Sequence, residues 1–261
     1  MFDVIDLSVS LVSHNSCNDL KLLLPSLKEE LKHIHSEVLL VDNRSDDDSA
    51  GFIKENYPEI ILTKNMKRHG YGANQNTNLQ KARGRYVLFM NSDMVIVPGA
   101  LSTLCTFMDN HPDVGICSAN VLNTDGSLQY LNKQYPSVLD LFLRRFVPDA
   151  FKTIFKKRLH YYEMRETGYN RSIDIPFISG CFMFCRTSVI RTVKGFDERY
   201  FLYFEDVDLC RKVQKYARTV SCPDARVIHR WERAAHKEVK WLIIFVKSAV
   251  SYFNKWGYAL Y

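Results

Sequence analysis

An α/β fold with a mostly parallel sheet, covered by helices on both sides, is predicted by three features of the 261-residue sequence. Short apolar runs such as Tyr86-Val87-Leu88-Phe89-Met90 have no polar face, which suits strands buried on both sides. Segments with apolar residues at helical spacing alternate with these runs, as crossover connections between parallel strands require. Polar clusters close the runs at His14-Asn15, Asp42-Asn43 and Asn91-Ser92-Asp93, and ligands of such sheets sit at the carboxyl ends of the strands.

In order, Leu7 to Ser13 is a β-prone run that stops at His14-Asn15-Ser16, and Leu20 to Leu31 follows with helical spacing. Glu37 to Val41 is the next strand, halted by the polar run from Asp42 to Asp48, and Phe52 to Tyr57 reads as a short helix. The unit repeats with a strand at Ile60 to Thr63, a helix at Gly72 to Arg83, a strand at Tyr86 to Met90, and a helix at Gly99 to Asn110 behind Pro98. Val114 to Ala119 adds a strand. From Ser137 the alternation fails, and Arg144, Arg145, Lys156 and Lys157 mix with Phe142, Phe146 and Phe155, predicting amphipathic helices or a mobile insertion. Ile173 to Ile178 and Cys181 to Cys185 resume regular structure, a helix begins near Glu205 or Asp206, and 234–256 reads as helical. No repeat, low-complexity tract or linker divides the chain, so one domain over 1–261 is expected.

The 46% hydrophobic content suffices for a sizeable core, and the net charge of +6 suits anionic partners without choosing among them. Seven cysteines form no Cys-x-x-Cys pair, which argues against a disulfide framework or zinc knuckle and for a reducing compartment. The N-terminus carries Asp3 and Asp6 where a secretory signal would be basic, and the apolar stretch Trp241 to Val246 is too short to span a bilayer. A cytoplasmic protein, soluble or peripheral, is expected.

Chemistry concentrates in two acidic places. Glu205, Asp206 and Asp208 put three carboxylates within four residues beside Tyr200-Phe201-Leu202-Tyr203-Phe204. Adjacent acids raise one another's pKa, which suits a proton acceptor or a cation site, while acids at a helix N-terminus are also favoured by the macrodipole. Asn91-Ser92-Asp93 gives a second acidic point at the end of a strand. Gly70-Tyr71-Gly72-Ala73-Asn74, ahead of a helix, could cradle a phosphate, although it matches neither the P-loop nor the dinucleotide fingerprint.

Five stretches in order, Val9 to Asn15, Val41 to Asp46, Asn65 with Gly70 to Asn76, Asn91-Ser92-Asp93, and Gly195 to Arg211, resemble the inverting glycosyltransferases of family 2, and within them the rhamnosyltransferase-like members of bacterial surface-polysaccharide synthesis. The resemblance runs from Val9 to about Gly257. It implies the GT-A fold, a Rossmann-like mostly parallel sheet with a helical C-terminal extension, whose nucleotide-sugar-binding half covers about 1–120 and acceptor-binding half about 121–261. Asp42 would then contact the nucleotide, with Asn43, Ser13 and Asn15 lining the same pocket; the alternative for Asp42 is a turn aspartate that caps the next helix. Asn74 and Asn76 are implied donor contacts, or else ordinary helix-initiating residues.

Asn91-Ser92-Asp93 resembles the family's Asp-x-Asp metal motif with asparagine in the first position. Asp93 would hold Mg²⁺ or Mn²⁺, with His229 as a second ligand or a diphosphate contact. After His229 the family usually has small residues and a serine, whereas this chain has Arg230-Trp231-Glu232-Arg233, so Arg230 and Arg233 are candidates for the diphosphate. Asp206 occupies the position of the catalytic base, Glu205 and Asp208 tune it or bond the acceptor, and Gly180 allows close approach of a sugar or of packed backbone. The implied donor is dTDP-rhamnose, with another nucleotide-sugar such as a UDP-sugar as the alternative. The implied acceptor is a saccharide on undecaprenyl diphosphate, with basic segments against the inner face of the membrane. An inactive scaffold that only binds is the remaining alternative, and no nucleic-acid-binding module is recognised.

Overall fold

The computed structural model describes residues 5–230 and 239–261. Asp3, Glu232, Arg233 and Lys237 lie outside the described residues, as do residues 234–238 of the expected C-terminal helix.

The strands are β1 (Leu7–Ser13), β2 (Ser36–Asp42), β3 (Ile61–Lys64), β4 (Tyr86–Asn91), β5 (Met94–Ile96), β6 (Val114–Leu122), β7 (Asn132–Lys133), β8 (Phe177–Ile178), β9 (Phe182–Arg186) and β10 (Arg218–His229). The α-helices are α1 (Cys17–Leu31), α2 (Ser49–Asn56), α3 (Tyr71–Lys81), α4 (Ala100–Asn110), α5 (Val138–Phe146), α6 (Asp149–Lys152), α7 (Lys156–Tyr162), α8 (Thr187–Thr192), α9 (Glu205–Val213) and α10 (Val239–Trp256). Eight strands form one sheet in the order β3-β2-β1-β4-β9-β6-β10-β5, and β7 with β8 forms a separate ribbon. Pairings β1–β2, β2–β3, β1–β4 and β6–β10 are parallel, whereas β9 runs antiparallel between β4 and β6, and β5 runs antiparallel to β10.

The period of two along β4 explains why helices cover both faces. Leu88 and Met90 join the cluster made with α1 and α4, while Val87 and Phe89 join the one made with α3, α8 and α9. Leu20, Leu23, Leu24 and Leu27 of α1 are buried, a spacing of three and four that puts them on one helical stripe. Their full burial is worth about 1.5–3 kcal/mol each before conformational entropy is counted. Helix α3 instead meets the sheet through polar groups: Asn78 Nδ2 donates to Ser10 Oγ and the Leu11 carbonyl, both at 3.0 Å.

Of the two alternatives for the basic segment after Ser137, the structure has helices: Ser137 and Asp140 form a capping box on α5, and Arg158 of α7 clamps Asp140 with two bonds of 2.7 Å. One expectation changes. Within Ile173 to Ile178, only Phe177–Ile178 is a strand, preceded by a bridge from Asp174 to Val220.

Candidate active site

The carboxyl ends of β1, β2 and β4, the Gly180 turn before β9 and the N-terminus of α9 surround one region. Ser13 lies opposite Asp42 in the β1–β2 register. Among the described residues its Oγ is buried with no hydrogen-bond partner, and the Asp42 carboxylate accepts from the Ser45 N–H at 3.2 Å on Oδ1. An unsatisfied hydroxyl beside a carboxylate is a polar pocket that lacks its complement. Asn15, at φ 55°, accepts from the Asp46 N–H at 2.7 Å and so ties the loop after β1 to that after β2.

Three asparagines read as donor contacts brace the loops. Asn43 Nδ2 donates to the His69 carbonyl (3.0 Å), and its Oδ1 accepts from the His69 N–H (2.9 Å) and Asn65 Nδ2 (3.2 Å). Asn74 Nδ2 donates to the Gly70 carbonyl (2.9 Å) while its Oδ1 accepts from Asn65 (2.7 Å). Asn76 exchanges bonds with both backbone groups of Phe196 and donates to Glu198. The glycine pair has a packing reason too. A Cβ on Gly70 would stand 2.8 Å from the carbonyls of Tyr200 and Phe201, and one on Gly72 2.8 Å from Phe196 Cβ, so both glycines let α3 press against the loop that precedes α9.

Asp93 and His229 meet across the β5–β10 junction. His229 Nε2 and Asp93 Oδ1 are 3.2 Å apart, within ion-pair range, yet both atoms are buried and neither makes a hydrogen bond. Gln129 explains which nitrogen is bare: its Nε2 donates to the His229 carbonyl at 2.7 Å, which turns its Oε1 onto His229 Nδ1 at 2.9 Å. Nδ1 is therefore the donor, and Nε2 presents a lone pair to a carboxylate oxygen. Two acceptors this close repel unless a cation lies between them, and adjacent ligands on an octahedral ion with 2.0–2.1 Å bonds are about 3 Å apart. The pair fits a divalent ion. Among the described residues no group of three or more His, Cys, Asp or Glu side chains could hold one, so an ion here would need further ligands from outside these side chains. Asn91 and Ser92 shape the turn into Asp93, with the Asn91 N–H donating to the Cys181 carbonyl at 3.0 Å. Arg230 reaches Asp19 of α1 at 3.4 Å, and its backbone N–H bonds the Asp93 carbonyl at 2.9 Å.

Asp206 stands at the start of α9, aimed by Tyr203 and Phe204, which both adopt left-handed backbone (φ 68° and 69°). Consecutive bulky residues in that region cost about 1–3 kcal/mol each, a strain typical of functional turns. Asp206 Oδ2 accepts from the Gly180 N–H and Oδ1 from the Val207 N–H, both at 2.9 Å. Gly180 is itself fixed by Tyr71, whose hydroxyl donates to the Gly180 carbonyl at 3.0 Å and accepts from Gln75 at 2.9 Å. A Cβ on Gly180 would meet Asp206 Cβ at 3.1 Å, so close backbone approach is the role of this glycine.

Burial raises the pKa of Asp206, opposed first by the Gly180 N–H and then by the positive charge of Lys133. Glu205 is fully enclosed. Burial, reinforced by the neighbouring Asp206 charge, pushes it well above the usual carboxylate range, and its Oε2 has no partner. The two acids thus divide into a neutral Glu205 and an ionisable, half-buried Asp206. Asp208 corrects the expected acid cluster. Its side chain faces α10, where it accepts from Trp256 Nε1 at 2.7 Å and pairs with Lys255 at 2.7 Å. Cys181 ties the two halves of the site together: burial lifts its thiol to about 12, and Asp93 and Asp206 both add to the rise. Gln129 and Lys133 were not singled out in the sequence, where nothing marks them, and Tyr71 was read only as part of the glycine segment.

The mostly parallel sheet with strand ends opening onto a carboxylate pair defines a GT-A type sugar-transferase fold. The glycosyl transferase family 2 model matches residues 8–193, and the chain belongs to that family. It is 28% identical over 209 residues to an N-acetylglucosaminyl-diphospho-decaprenol L-rhamnosyltransferase of Mycobacterium tuberculosis, covering 74% of this chain and 66% of that protein, just under two thirds of its length. It is 26% identical to rhamnosyltransferase WbbL of Escherichia coli K12, covering 70% of this chain and 74% of WbbL. A mannosyltransferase from Pyrobaculum calidifontis, solved with GDP-mannose and Mn²⁺, shares the fold with a TM-score of 0.64 at 18% identity, covering 97% of this chain and 64% of that one.

Proposed function

We propose that the protein is an inverting glycosyltransferase that moves rhamnose from dTDP-rhamnose to a lipid-linked saccharide during synthesis of a cell-surface polysaccharide. The observation that carries this reading is that the Gly180-Cys181 turn bonds both acidic places: the Gly180 N–H holds Asp206, and the Cys181 carbonyl accepts from the Asn91 N–H, two residues before the Asp93 that meets His229. The choice of donor and acceptor is supported by the names of the two rhamnosyltransferase relatives.

In this reading the nucleoside lies against Ser13 and Asp42. The acceptor hydroxyl attacks the anomeric carbon as the bond to the diphosphate breaks, the leaving group takes the bonding electrons, and Asp206 takes the hydroxyl proton. Two backbone N–H groups hold the carboxylate still, and each oxygen keeps a lone pair for the acceptor. Its raised pKa makes it a stronger base, and a positioned base contributes about 10²–10⁴-fold. A divalent ion on Asp93 and His229 would offset the charge that develops on the diphosphate. Direct displacement inverts the anomeric centre. We include all of 1–261 in one catalytic unit, because β10 carries His229 back into the sheet beside β6.

The lipid-linked acceptor would meet the protein on its amphipathic helices. Phe142 and Phe146 of α5 are exposed beside Arg145, and Ile154 lies near exposed Lys156 and Lys157. No described helix is long and apolar enough to cross a membrane, so contact would be at the surface. The test is a panel of dTDP-, UDP- and GDP-sugars with polyprenyl-diphosphate-linked N-acetylglucosamine. Transfer from dTDP-rhamnose with inversion, dependent on Mg²⁺ or Mn²⁺, supports the reading, and transfer from a different donor alone replaces it.

A further inference from the structure

We propose that Tyr71 is a positioning residue for sugar transfer: a one-way chain of buried side-chain hydrogen bonds aims its hydroxyl at the Gly180 carbonyl and so keeps the Gly180 N–H on Asp206. The inference rests on the reading of Asp206 as the base. The chain starts in the core, where Asn78 Nδ2 of α3 donates to the carbonyls of Leu11 (3.0 Å) and Leu39 (3.2 Å). Carbonyls only accept, so they fix which end of that amide faces them. The same Nδ2 donates to Ser10 Oγ at 3.0 Å, which leaves the serine proton for Gln75 Oε1. Gln75 then presents its Nε2 to the Tyr71 hydroxyl at 2.9 Å, and the tyrosine proton goes to the Gly180 carbonyl at 3.0 Å.

Local geometry makes this chain rigid. Tyr71, Gln75 and Asn78 stand four and three residues apart on one face of α3, and Ser10, Gln75 and Asn78 are wholly buried, away from competing water. Burial also raises the pKa of the Tyr71 phenol, so it keeps the proton it donates. The Tyr71 backbone N–H donates to the Phe201 carbonyl at 2.9 Å, which fastens the head of α3 to the loop before α9. The receiving residue is a glycine, the type with the widest backbone freedom. Gly180 is held on one side by its N–H bond to Asp206 Oδ2 (2.9 Å) and on the other by its carbonyl bond to Tyr71. Without the tyrosine hydroxyl the Gly180 peptide can rotate, and the base loses a fixed donor.

The first arm of the test needs no substrate. Ser179-Gly180 is the only Ser-Gly pair in the sequence, so carbonyl-¹³C serine with ¹⁵N-glycine isolates the Gly180 amide by NMR, and its hydrogen exchange is followed in the full chain. Tyr71→Phe keeps the edge contact with Phe196, at 6.3 Å between ring centres, and removes only the hydroxyl. It should speed Gly180 exchange by about 3–10-fold, as loss of one hydrogen bond does, while the amide of Gly115 on β6 keeps its rate. Gln75→Met should change both amides in the same way. In the second arm, Tyr71→Phe should lower kcat about tenfold with donor KM within about twofold of wild type, and should have no further effect in Asp206→Asn. Unchanged Gly180 exchange in Tyr71→Phe overturns the proposal, and if that variant does not fold, unchanged exchange in Gln75→Met overturns it. Faster exchange with a wild-type kcat also overturns the positioning role. Wild-type transfer by Asp206→Asn overturns the base assignment and, with it, the link from this clamp to the chemistry.

Discussion

Replacing Asp208 with Asn separates an acid that docks a helix from one that does chemistry. The Asp208 side chain is fully buried, accepts from Trp256 Nε1 at 2.7 Å and pairs with Lys255 at 2.7 Å. Removing one partner of a buried ion pair costs about 3–5 kcal/mol. Two features reduce that figure here: Lys255 is 24% exposed and keeps Asp197 at 2.8 Å, and Asn retains a carbonyl for Trp256. We therefore expect a loss of about 2 kcal/mol, scaled down from the buried-pair range. At about 2–4 °C per kcal/mol for a chain of this size, Tm falls by about 4–8 °C. The assay is thermal unfolding followed by circular dichroism, paired with transfer rates well below Tm. The rates should stay within about threefold of wild type, because no transition-state contact is removed. An unchanged Tm with transfer reduced a hundredfold or more would place Asp208 in the chemistry and refute the docking role.

Three further outcomes follow from the same geometry. Glu205 has a raised pKa in the folded state, so the folded protein holds a proton that the unfolded chain releases above about 4.5. Stability is lost as pH rises through that window, and Glu205→Gln should melt progressively higher than wild type from pH 5 to 8, with the difference vanishing in acid; a constant difference would contradict this. Gln129→Leu frees His229 to turn and should weaken Mn²⁺ binding by about 10–100-fold, read as a smaller metal-induced rise in Tm, while an unchanged rise would show that Gln129 does not set the tautomer. Phe142→Glu with Phe146→Glu should abolish co-sedimentation with vesicles rich in phosphatidylglycerol while leaving Tm within about 1 °C, since both side chains are already exposed; unchanged sedimentation would remove the helix from membrane contact.

The strands of the first half were legible because burial on two faces writes an unbroken apolar run, as at Tyr86 to Met90. The long strand β10 was not: Pro223 and Asp224 interrupt it, and its register against β6 shifts between Cys222 and Arg226. A three-residue strand such as β5 leaves no periodicity to read. Asp93 at a strand end and Asp206 in a run of acids at a helix start could be singled out because clustered acids are chemically conspicuous, whereas His229 was marked only by the family resemblance. Asn43, Asn74 and Asn76 were conspicuous too, but an amide serves a loop carbonyl as readily as a ligand, and only the three-dimensional neighbours decide. Lys133 lies on a two-residue strand whose pairing with β8, 44 positions away in sequence by its register with Phe177, is a tertiary event. Asp208 was read as a helper of Asp206, two residues away. Helical geometry turns the two acids by about 200° relative to each other, which sends one toward Gly180 and the other toward α10.

The most direct test of the base assignment is the transfer rate of Asp206→Asn at saturating donor and acceptor. Asn keeps the size and one acceptor oxygen for the Gly180 or Val207 N–H, so binding of the nucleotide-sugar should persist while kcat falls about 10²–10⁴-fold, the contribution expected of a general base. A variant that binds donor and transfers sugar at the wild-type rate would contradict the account.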